Sequence, residues 1–342
     1  MPGKRCSTRS SRGVQSEKKR KTTQEDIKAP PIVSNWSDLV RLSNNNQRST
    51  NADVKLIKRL RPEIKCVDSM VGMKDIKNQL CRHILFVTQA SKFNFSLPPL
   101  RHVLITGPAG CGKTTFANML ARILNKIYGY RVNHIVHGTR ANMIGSYVGH
   151  TAKNTQKVID DAKKGVLIID EAYSIGDSSK DERGSDTFAQ SCVDTLNRNL
   201  TERADQFVCI LIGYHQSINQ SLFAKNEGMK RRFNTIFKFP PYSNAELFQL
   251  FCQECEKQGI HLDQSSECSK VLKRFHHILE FHAASVISLV EHVCRYFVQK
   301  FFGSPPENMS LELGPEILET MCTEYERNHH LKRRNDFSHM YV

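Results

Sequence analysis

Short apolar runs alternate with amphipathic runs through the middle of the chain. The apolar runs begin at His102, His134, Val166, Phe207 and Thr235 and read HVLITG, HIVHGT, VLIID, FVCILIGY and TIFKFP. The runs between them repeat apolar residues at helical spacing, as in KTTFANMLARILNKI. Strands that are apolar on both faces are typical of a parallel sheet covered by helices on both sides. The pattern therefore predicts an α/β core.

The flanks of this core have a different character. A helical pattern begins after Gly72 and runs to about Gln89, and only helical patterns follow Pro241, from Asn244 through Tyr325. We therefore predict five segments along the chain: a disordered basic tail (1–34), a linker with one short helix (35–65), the α/β core (66–242), an all-α domain (243–327) and a basic C-terminal tail (328–342).

The charge is concentrated at the N-terminus. Of a net charge of +15, most lies in the first 65 residues, which hold 16 Lys and Arg against 6 Asp and Glu. Few apolar residues accompany the charges in the first 30 residues, which predicts disorder. The KKRK run at 18–21 is consistent with a nuclear import signal, a nonspecific nucleic-acid contact or a solvated charge run. No apolar run reaches 18 residues, so we expect no membrane span.

A glycine-rich loop follows the first apolar run. Gly107, Gly112, Lys113 and Thr114 complete the pattern G-x-x-x-x-G-K-[ST] between a predicted strand and a predicted helix. Backbone N–H groups and the positive end of the helix would converge there on phosphates, with Lys113 on the β and γ phosphates and Thr114 on Mg²⁺. The predicted nucleotide-binding residues are Gly107, Pro108, Ala109, Gly110, Cys111, Gly112, Lys113, Thr114 and Thr115.

A second acidic element ends the third apolar run. Asp170 and Glu171 follow GVLII directly. Paired carboxylates at the end of a buried strand are costly without a cation, which favours a site for magnesium and a nucleotide. Asp170 would hold Mg²⁺ through a water, and Glu171 would act as the general base toward the attacking water. The two motifs together predict binding and hydrolysis of ATP.

These motifs resemble those of the AAA+ ATPases, most closely the CbbX/SpoVK-like branch. The similarity runs from about Val67 to about Leu250, and its most specific stretch is NMIGSYVGHTAKNTQKVIDDAKKGVLIIDEAYSI. The resemblance implies a P-loop NTPase core with a parallel five-stranded sheet, followed by a helical lid. It also implies a homo-oligomeric ring, as a hexamer, that acts on a client protein.

The resemblance assigns roles to three further places. Tyr147 and Val148 match the pore-loop pair that grips a threaded polypeptide, and the alternative for Tyr147 is a core aromatic residue. Arg232 matches the arginine finger, which a neighbouring subunit presents to the γ-phosphate, with Arg231 beside it. The alternative for Arg232 is a basic turn that caps a helix. Val71 and Gly72 match the segment that lines the adenine pocket.

The lid departs from the pattern of the family. Ala284 and Ile287 stand where we align the arginines of the lid motif, unless Arg295 replaces them from later on the same helix. After the fourth predicted strand, Tyr214 or His215 takes the sensor position. The missing cation would weaken the coupling between hydrolysis and lid movement, which predicts a slow or partner-activated ATPase.

Three functions are therefore compatible with the sequence. The first is an ATP-dependent ring that threads or pulls a client polypeptide. The second is a nucleic-acid-associated AAA+ factor, such as a loader, helicase or packaging accessory, which the basic tails favour. The third is a nucleotide-gated scaffold with little turnover.

Overall fold

A computed structural model describes residues 33–46, 51–89, 102–147, 149–176, 185–263, 265–303 and 311–338. The predicted N-terminal tail lies almost wholly outside these residues, as does its KKRK run. No helix in the described part of the chain combines the length and the apolar character needed to cross a membrane.

Five parallel strands form the central sheet, in the order β2-β3-β4-β1-β5. The bounds are Val103–Thr106 (β1), Ile135–Gly138 (β2), Val166–Ile169 (β3), Val208–Gly213 (β4) and Thr235–Lys238 (β5). The three central strands are buried along their whole length, which explains why they contain almost no polar residues. The prediction of a five-stranded parallel sheet is confirmed.

The register of the sheet places the carboxyl ends of β1, β4 and β5 side by side. Thr106, the last residue of β1, pairs with Gly213 in β4 and with Lys238 in β5. Because all strands run in one direction, the segments that follow β1, β3 and β4 emerge at the same edge of the sheet. This edge is the carboxyl edge, where open α/β sheets bind their ligands.

Helices cover both faces of the sheet, and alternate residues of each strand serve different cores. Val103 and Ile105 pack on one face with the helix Lys113–Ile127, and Leu104 packs on the other face with the helices His150–Asp161 and Ser185–Glu202. The helices of the core after β1 are Lys113–Ile127 (α5), Arg140–Met143 (α6), His150–Asp161 (α7), Tyr173–Gly176 (α8), Ser185–Glu202 (α9), His215–Ile218 (α10) and Glu227–Lys230 (α11). A π-helical turn, Asn219–Phe223, follows α10.

Residues 35–65, predicted as a linker with one short helix, contain more helix than that and pack in the core. Among the described residues before β1 there are four helices, with the bounds Trp36–Asn44 (α1), Ala52–Arg59 (α2), Arg61–Asp68 (α3) and Lys74–Gln89 (α4). Leu39 and Leu60 are fully buried in the same core as α5 and the sheet. Trp36 is also buried, and its indole Nε1 donates a 2.8 Å hydrogen bond to Asp68 Oδ1. These helices are part of the core because their apolar faces are buried together with those of α5 and the sheet.

The lid follows the sheet and has its own core. Its helices are Asn244–Lys257 (α12), Ser265–Arg274 (α13), His282–Lys300 (α14) and Pro315–Ser338 (α15). Two short parallel strands, His261–Leu262 (β6) and Glu312–Leu313 (β7), join this domain, so the expectation of helices alone is incomplete. The backbone of α15 continues as a helix to Ser338, through most of the segment predicted to be a basic tail.

Candidate nucleotide-binding site

The loop after β1 is shaped by glycine and held close to the lid. Gly110 and Gly112 have φ angles of 67° and 85°, a region that residues with a Cβ rarely adopt. A Cβ on Gly110 would lie 1.9 Å from the carbonyl oxygen of Phe281, in the turn before α14. The Gly110 carbonyl accepts a 3.1 Å hydrogen bond from the backbone N–H of Ala283. The loop is therefore in direct backbone contact with the lid.

Lys113 begins α5 and is almost fully buried, with 8% of its surface exposed. Its Nζ donates a 2.6 Å hydrogen bond to the Pro108 carbonyl and lies 5.2 Å from the centre of the Tyr214 ring. The Cys111 thiol also donates to the Pro108 carbonyl, at 3.0 Å, and burial raises the pKa of Cys111. Cys111 therefore stays protonated as a small packing side chain, while the ammonium of Lys113 lies within the loop where it can meet an anion.

Thr114 and Asp170 meet across the site. The Thr114 hydroxyl donates a 2.6 Å hydrogen bond to Asp170 Oδ2, although the two residues are 56 positions apart. No group of three or more His, Cys, Asp or Glu suited to a metal occurs among the described residues. A hydroxyl and one carboxylate instead fit Mg²⁺, which takes oxygen ligands and keeps the rest of its shell for phosphates and water. The residues predicted to hold Mg²⁺ are therefore brought together.

Glu171 adopts a backbone conformation unusual for its type. Its φ is 49°, in the left-handed region, and its backbone N–H donates a 2.8 Å hydrogen bond to Asp170 Oδ1. Partial desolvation raises the pKa of Glu171, the neighbouring Asp170 carboxylate raises it further, and Lys113 opposes both effects. Strain of this kind persists where the surrounding structure holds the residue in place. The fold therefore holds Glu171 in a fixed position beside Asp170.

A cavity of about 270 Å³ extends from the loop to the lid. Val71, one of the two residues predicted for the base pocket, lines this cavity, whereas Gly72 lies against Glu246, whose Oε1 would be 2.1 Å from a Cβ on that glycine. Apart from Val71, Gly112 and Thr115 the lining was not predicted, because it comes mostly from α3 with the turn after it and from the lid, where no local motif marks the positions. The remaining residues around the cavity are Cys66, Ser69, Met70, Gly112, Thr115, Met119, Tyr242, Leu250, Gln253, Glu254, Lys257 and Ala283.

The lid positions aligned with the missing arginines differ in their surroundings. The Ala284 Cβ would lie 3.2 Å from a Cβ on Gly110, and Ile287 is 45% exposed. Arg295 lines a separate groove of about 300 Å³ with Ile287 and Glu291. Arg295 therefore lies in a groove away from the phosphate-binding loop, and the lid contacts that loop through backbone atoms and Ala284.

Tyr214 and His215 have different surroundings at the end of β4. The Tyr214 ring stacks on Tyr173, with centroids 5.8 Å apart and planes 26° from parallel, and faces Lys113. His215 begins α10 and is exposed. Of the two sensor candidates, Tyr214 is the one for which the structure records a contact with the phosphate-binding loop.

Arg232 lies at the opposite edge of the sheet from Asp170. It comes three residues before β5, whose first residue pairs with Val103 at the start of β1. Arg232 Nε donates to Thr201 Oγ1 at 3.0 Å and Nη1 donates to the Gly228 carbonyl at 2.7 Å, while Arg231 is exposed. The four residues of β1 span roughly 13 Å between this edge and the loop. This position does not bring Arg232 to the phosphate-binding loop of its own chain.

Tyr147 lies on the surface between α6 and α7. Its side chain is 70% exposed and contacts the His150 ring, with centroids 5.5 Å apart. The alternative of a core aromatic residue is therefore wrong. Val148 lies outside the described residues. Gly149 follows with φ of 82° and caps α7, which fixes where the loop ends.

Comparisons with known proteins agree with this fold and site. Residues 103–241 match the family model described as the ATPase family associated with various cellular activities (AAA). Among solved structures, the RuvB Holliday junction branch migration motor of Thermotoga maritima is 16% identical with a TM-score of 0.50, over 75% of this chain and 70% of RuvB. The AAA domain of FIGL-1 in complex with ADP is 19% identical with a TM-score of 0.50, over 76% of this chain and 82% of that domain. At these identities the likeness concerns the fold.

Curated relatives are more similar in sequence. A putative cfxQ-like protein, R730 of Acanthamoeba polyphaga mimivirus, is 36% identical over 60% of this chain and 49% of its own length. The stage V sporulation protein K of Bacillus subtilis is 30% identical over 48% of this chain and 50% of its length. CbbX of Cereibacter sphaeroides is 30% identical over 58% of this chain and 64% of its length. The chain thus spans about half to two thirds of these relatives.

The parallel sheet, the phosphate-binding loop and the acidic strand end define an AAA+ ATPase fold. In sequence the chain is similar to the CbbX/SpoVK-like branch of the AAA+ ATPases.

Proposed function

We propose that this protein is an ATP-dependent remodelling ATPase that acts on a client polypeptide as a ring, a hexamer, of identical subunits. The observation that carries the proposal is the convergence of Lys113, Thr114, Asp170 and Glu171 at one edge of the sheet. The bond between Thr114 and Asp170 joins the two motifs, and the Lys113 charge acts on Glu171. Thr114 and Asp170 are 56 positions apart in the chain, so the fold, and not the local amino-acid composition, brings their side chains together.

The geometry supports a separate role for each of these groups in hydrolysis. Backbone N–H groups of residues 107–114 and the Lys113 ammonium would bind the phosphates, with the base in the cavity lined by Val71. Thr114 and Asp170 would hold Mg²⁺, which when bound neutralises charge on the phosphate oxygens. Glu171 would accept the proton of the attacking water.

Ring assembly is supported by the place of Arg232. A residue at the far edge of its own sheet can act on a γ-phosphate only in a neighbouring subunit, where a finger of this kind contributes roughly 10³ to 10⁵ in rate in other NTPases. Tyr147 supports client contact, because an exposed aromatic ring bounded by glycines offers sequence-tolerant binding on a surface loop.

Mixing two inactive variants tests the site and the ring together. Arg232→Ala keeps an intact nucleotide site, and Lys113→Ala keeps an intact finger, so each should hydrolyse ATP at least 100-fold more slowly than wild type. An equal mixture should recover a substantial part of the turnover at interfaces that pair the two intact halves. A mixture no more active than its components would contradict a finger acting between subunits.

Threading is tested on the same protein with reduced casein as an unfolded polypeptide. Stimulation of ATP turnover by casein should be lost in Tyr147→Ala. Stimulation by DNA that survives removal of residues 1–30 would favour the nucleic-acid-associated alternative instead.

Nuclear localisation is likewise a proposal, and a fluorescent fusion lacking residues 18–21 should lose nuclear accumulation if that run is an import signal.

A nucleotide-gated scaffold is the second candidate function. The observation that favours it is Ala284, which stands against Gly110 at a position aligned with a lid arginine. Without that charge the lid would sense ATP weakly, and turnover would be slow or dependent on a partner. The scaffold needs only ATP binding, whereas the remodelling ATPase needs hydrolysis. If the Glu171→Gln variant keeps the function of the wild type, the result would support the scaffold.

A further inference from the structure

The ammonium of Lys113 rests on an aromatic face. Lys113 Nζ lies 5.2 Å from the centre of the Tyr214 ring, within the range of a cation–π interaction. The side chain is almost fully buried, and its Nζ donates a 2.6 Å hydrogen bond to the Pro108 carbonyl. A buried charge needs compensation, and the electron-rich ring face supplies part of it where water is excluded.

The ring itself is held by residues from two adjacent strands. Tyr214 directly follows β4, and Tyr173 begins α8 shortly after β3. The Ala172 N–H donates a 2.9 Å hydrogen bond to the Ile212 carbonyl, which ties the two strand ends together. A Cβ on Gly213 would lie 3.3 Å from Tyr173 Cδ1, so the glycine leaves room for the two rings to stack. The position of the Tyr214 ring is therefore fixed by the ends of β3 and β4.

A ring face suits this place better than an acidic partner would. Glu171 already places one carboxylate within electrostatic range of the ammonium, and a second one in direct contact would repel the phosphates that the lysine must bind. The ring face attracts the cation without carrying a negative charge. Lys113 can then exchange the Pro108 carbonyl for phosphate oxygens while it keeps its contact with the ring.

We propose that Tyr214, braced by Tyr173, is a positioning residue that holds the Lys113 ammonium at the phosphate-binding loop through its ring face. The inference deepens the proposed ATPase function and rests on it. The hydroxyl of Tyr214 has no part in this role. The prediction therefore separates the ring from the hydroxyl, which a sensor that bonds to water would need.

The test compares Tyr214→Leu with Tyr214→Phe. Loss of the ring should lower kcat/KM for ATP and the affinity for ADP by 5- to 30-fold, because Lys113 binds the β and γ phosphates. Tyr214→Phe should restore both values to within about twofold of wild type. Tyr130→Leu is the matched control, since Tyr130 packs on Tyr128 with centroids 5.8 Å apart beyond the other end of α5. The melting temperatures of the Leu variants report any purely structural effect.

A double-mutant cycle with Lys113→Ala completes the test. If Tyr214 acts only through the lysine, Tyr214→Leu should change ADP affinity less than twofold in the Lys113→Ala background. Equal losses in both backgrounds, a Phe variant as poor as the Leu variant, or a Leu variant as active as wild type would each overturn the inference. Absence of ATP turnover in wild type would overturn the proposed function instead, and the cycle on ADP affinity would still decide the role of Tyr214.

Discussion

Gly110 is the residue at which the phosphate-binding loop meets the lid. Its carbonyl accepts from Ala283, and the space a Cβ would need is taken by the Phe281 carbonyl. The sequence motif treats this position as variable, so its importance could not be predicted from the loop alone. It follows from the approach of α14, some 170 residues further along the chain, through contacts that leave no local pattern.

Gly110→Ala should be more damaging than an equivalent change at Gly129. Both glycines have left-handed φ angles, 67° and 70°, so alanine costs roughly 1–2 kcal/mol at either place. A Cβ on Gly129 meets nothing within 4 Å, whereas one on Gly110 collides with the lid, which adds about 1–3 kcal/mol. Urea unfolding of the two variants measures the difference. Equal losses of stability would show that the lid turn does not press on the loop.

At the scale of elements, the sequence predicted those helices and strands that have a clear apolar periodicity or carry a motif. The helix over 113–127 has the bounds expected, and the five strands lie where the apolar runs predicted them. In the segment of α1 to α3 only one short helix was predicted, because each of these helices is only 8 or 9 residues long and interrupted by polar residues. Such helices are marginal alone and form because they are packed against the sheet. The lid wall of the base cavity was missed for a related reason, since Leu250 and Gln253 reach it only through domain packing.

Helix α1 should therefore contribute directly to stability. Leu39 is fully buried between the N-terminal helices and the core, so Leu39→Ala should lower the free energy of unfolding by about 2–5 kcal/mol. Arg41→Ala on the same helix is the control, because its ion pair with Asp38 is exposed on the Arg41 side and should change stability by less than about 1 kcal/mol.

The single tryptophan of the chain provides the signal for this measurement. Trp36 lies on α1 and is 5% exposed, so its fluorescence follows the packing of that helix. Urea unfolding monitored at Trp36 should coincide with the loss of helical circular dichroism. Water-exposed tryptophan emission in the native protein, with no effect of Leu39→Ala, would instead fit a linker.

At the scale of the whole molecule, the nucleotide site lies within one chain, whereas the proposed finger requires a second chain. Lys113, Thr114 and Asp170 lie at the carboxyl edge of the sheet, while Arg232 lies at the amino edge. One subunit therefore holds the parts for binding, and the proposed finger can act only on a neighbour. The +15 net charge adds nonspecific attraction to acidic partners, which weakens with salt and does not define a client.

The central claim is that one site binds Mg-ATP through Lys113 and cleaves it with Glu171. Titration with ATP in the presence and absence of Mg²⁺, paired with phosphate release, tests it most directly on wild type, Lys113→Ala and Glu171→Gln. Wild type should bind and hydrolyse ATP. Lys113→Ala should lose at least tenfold in affinity, and Glu171→Gln should bind ATP but turn it over at least 100-fold more slowly. Wild-type affinity in Lys113→Ala, or unchanged turnover in Glu171→Gln, would contradict the account.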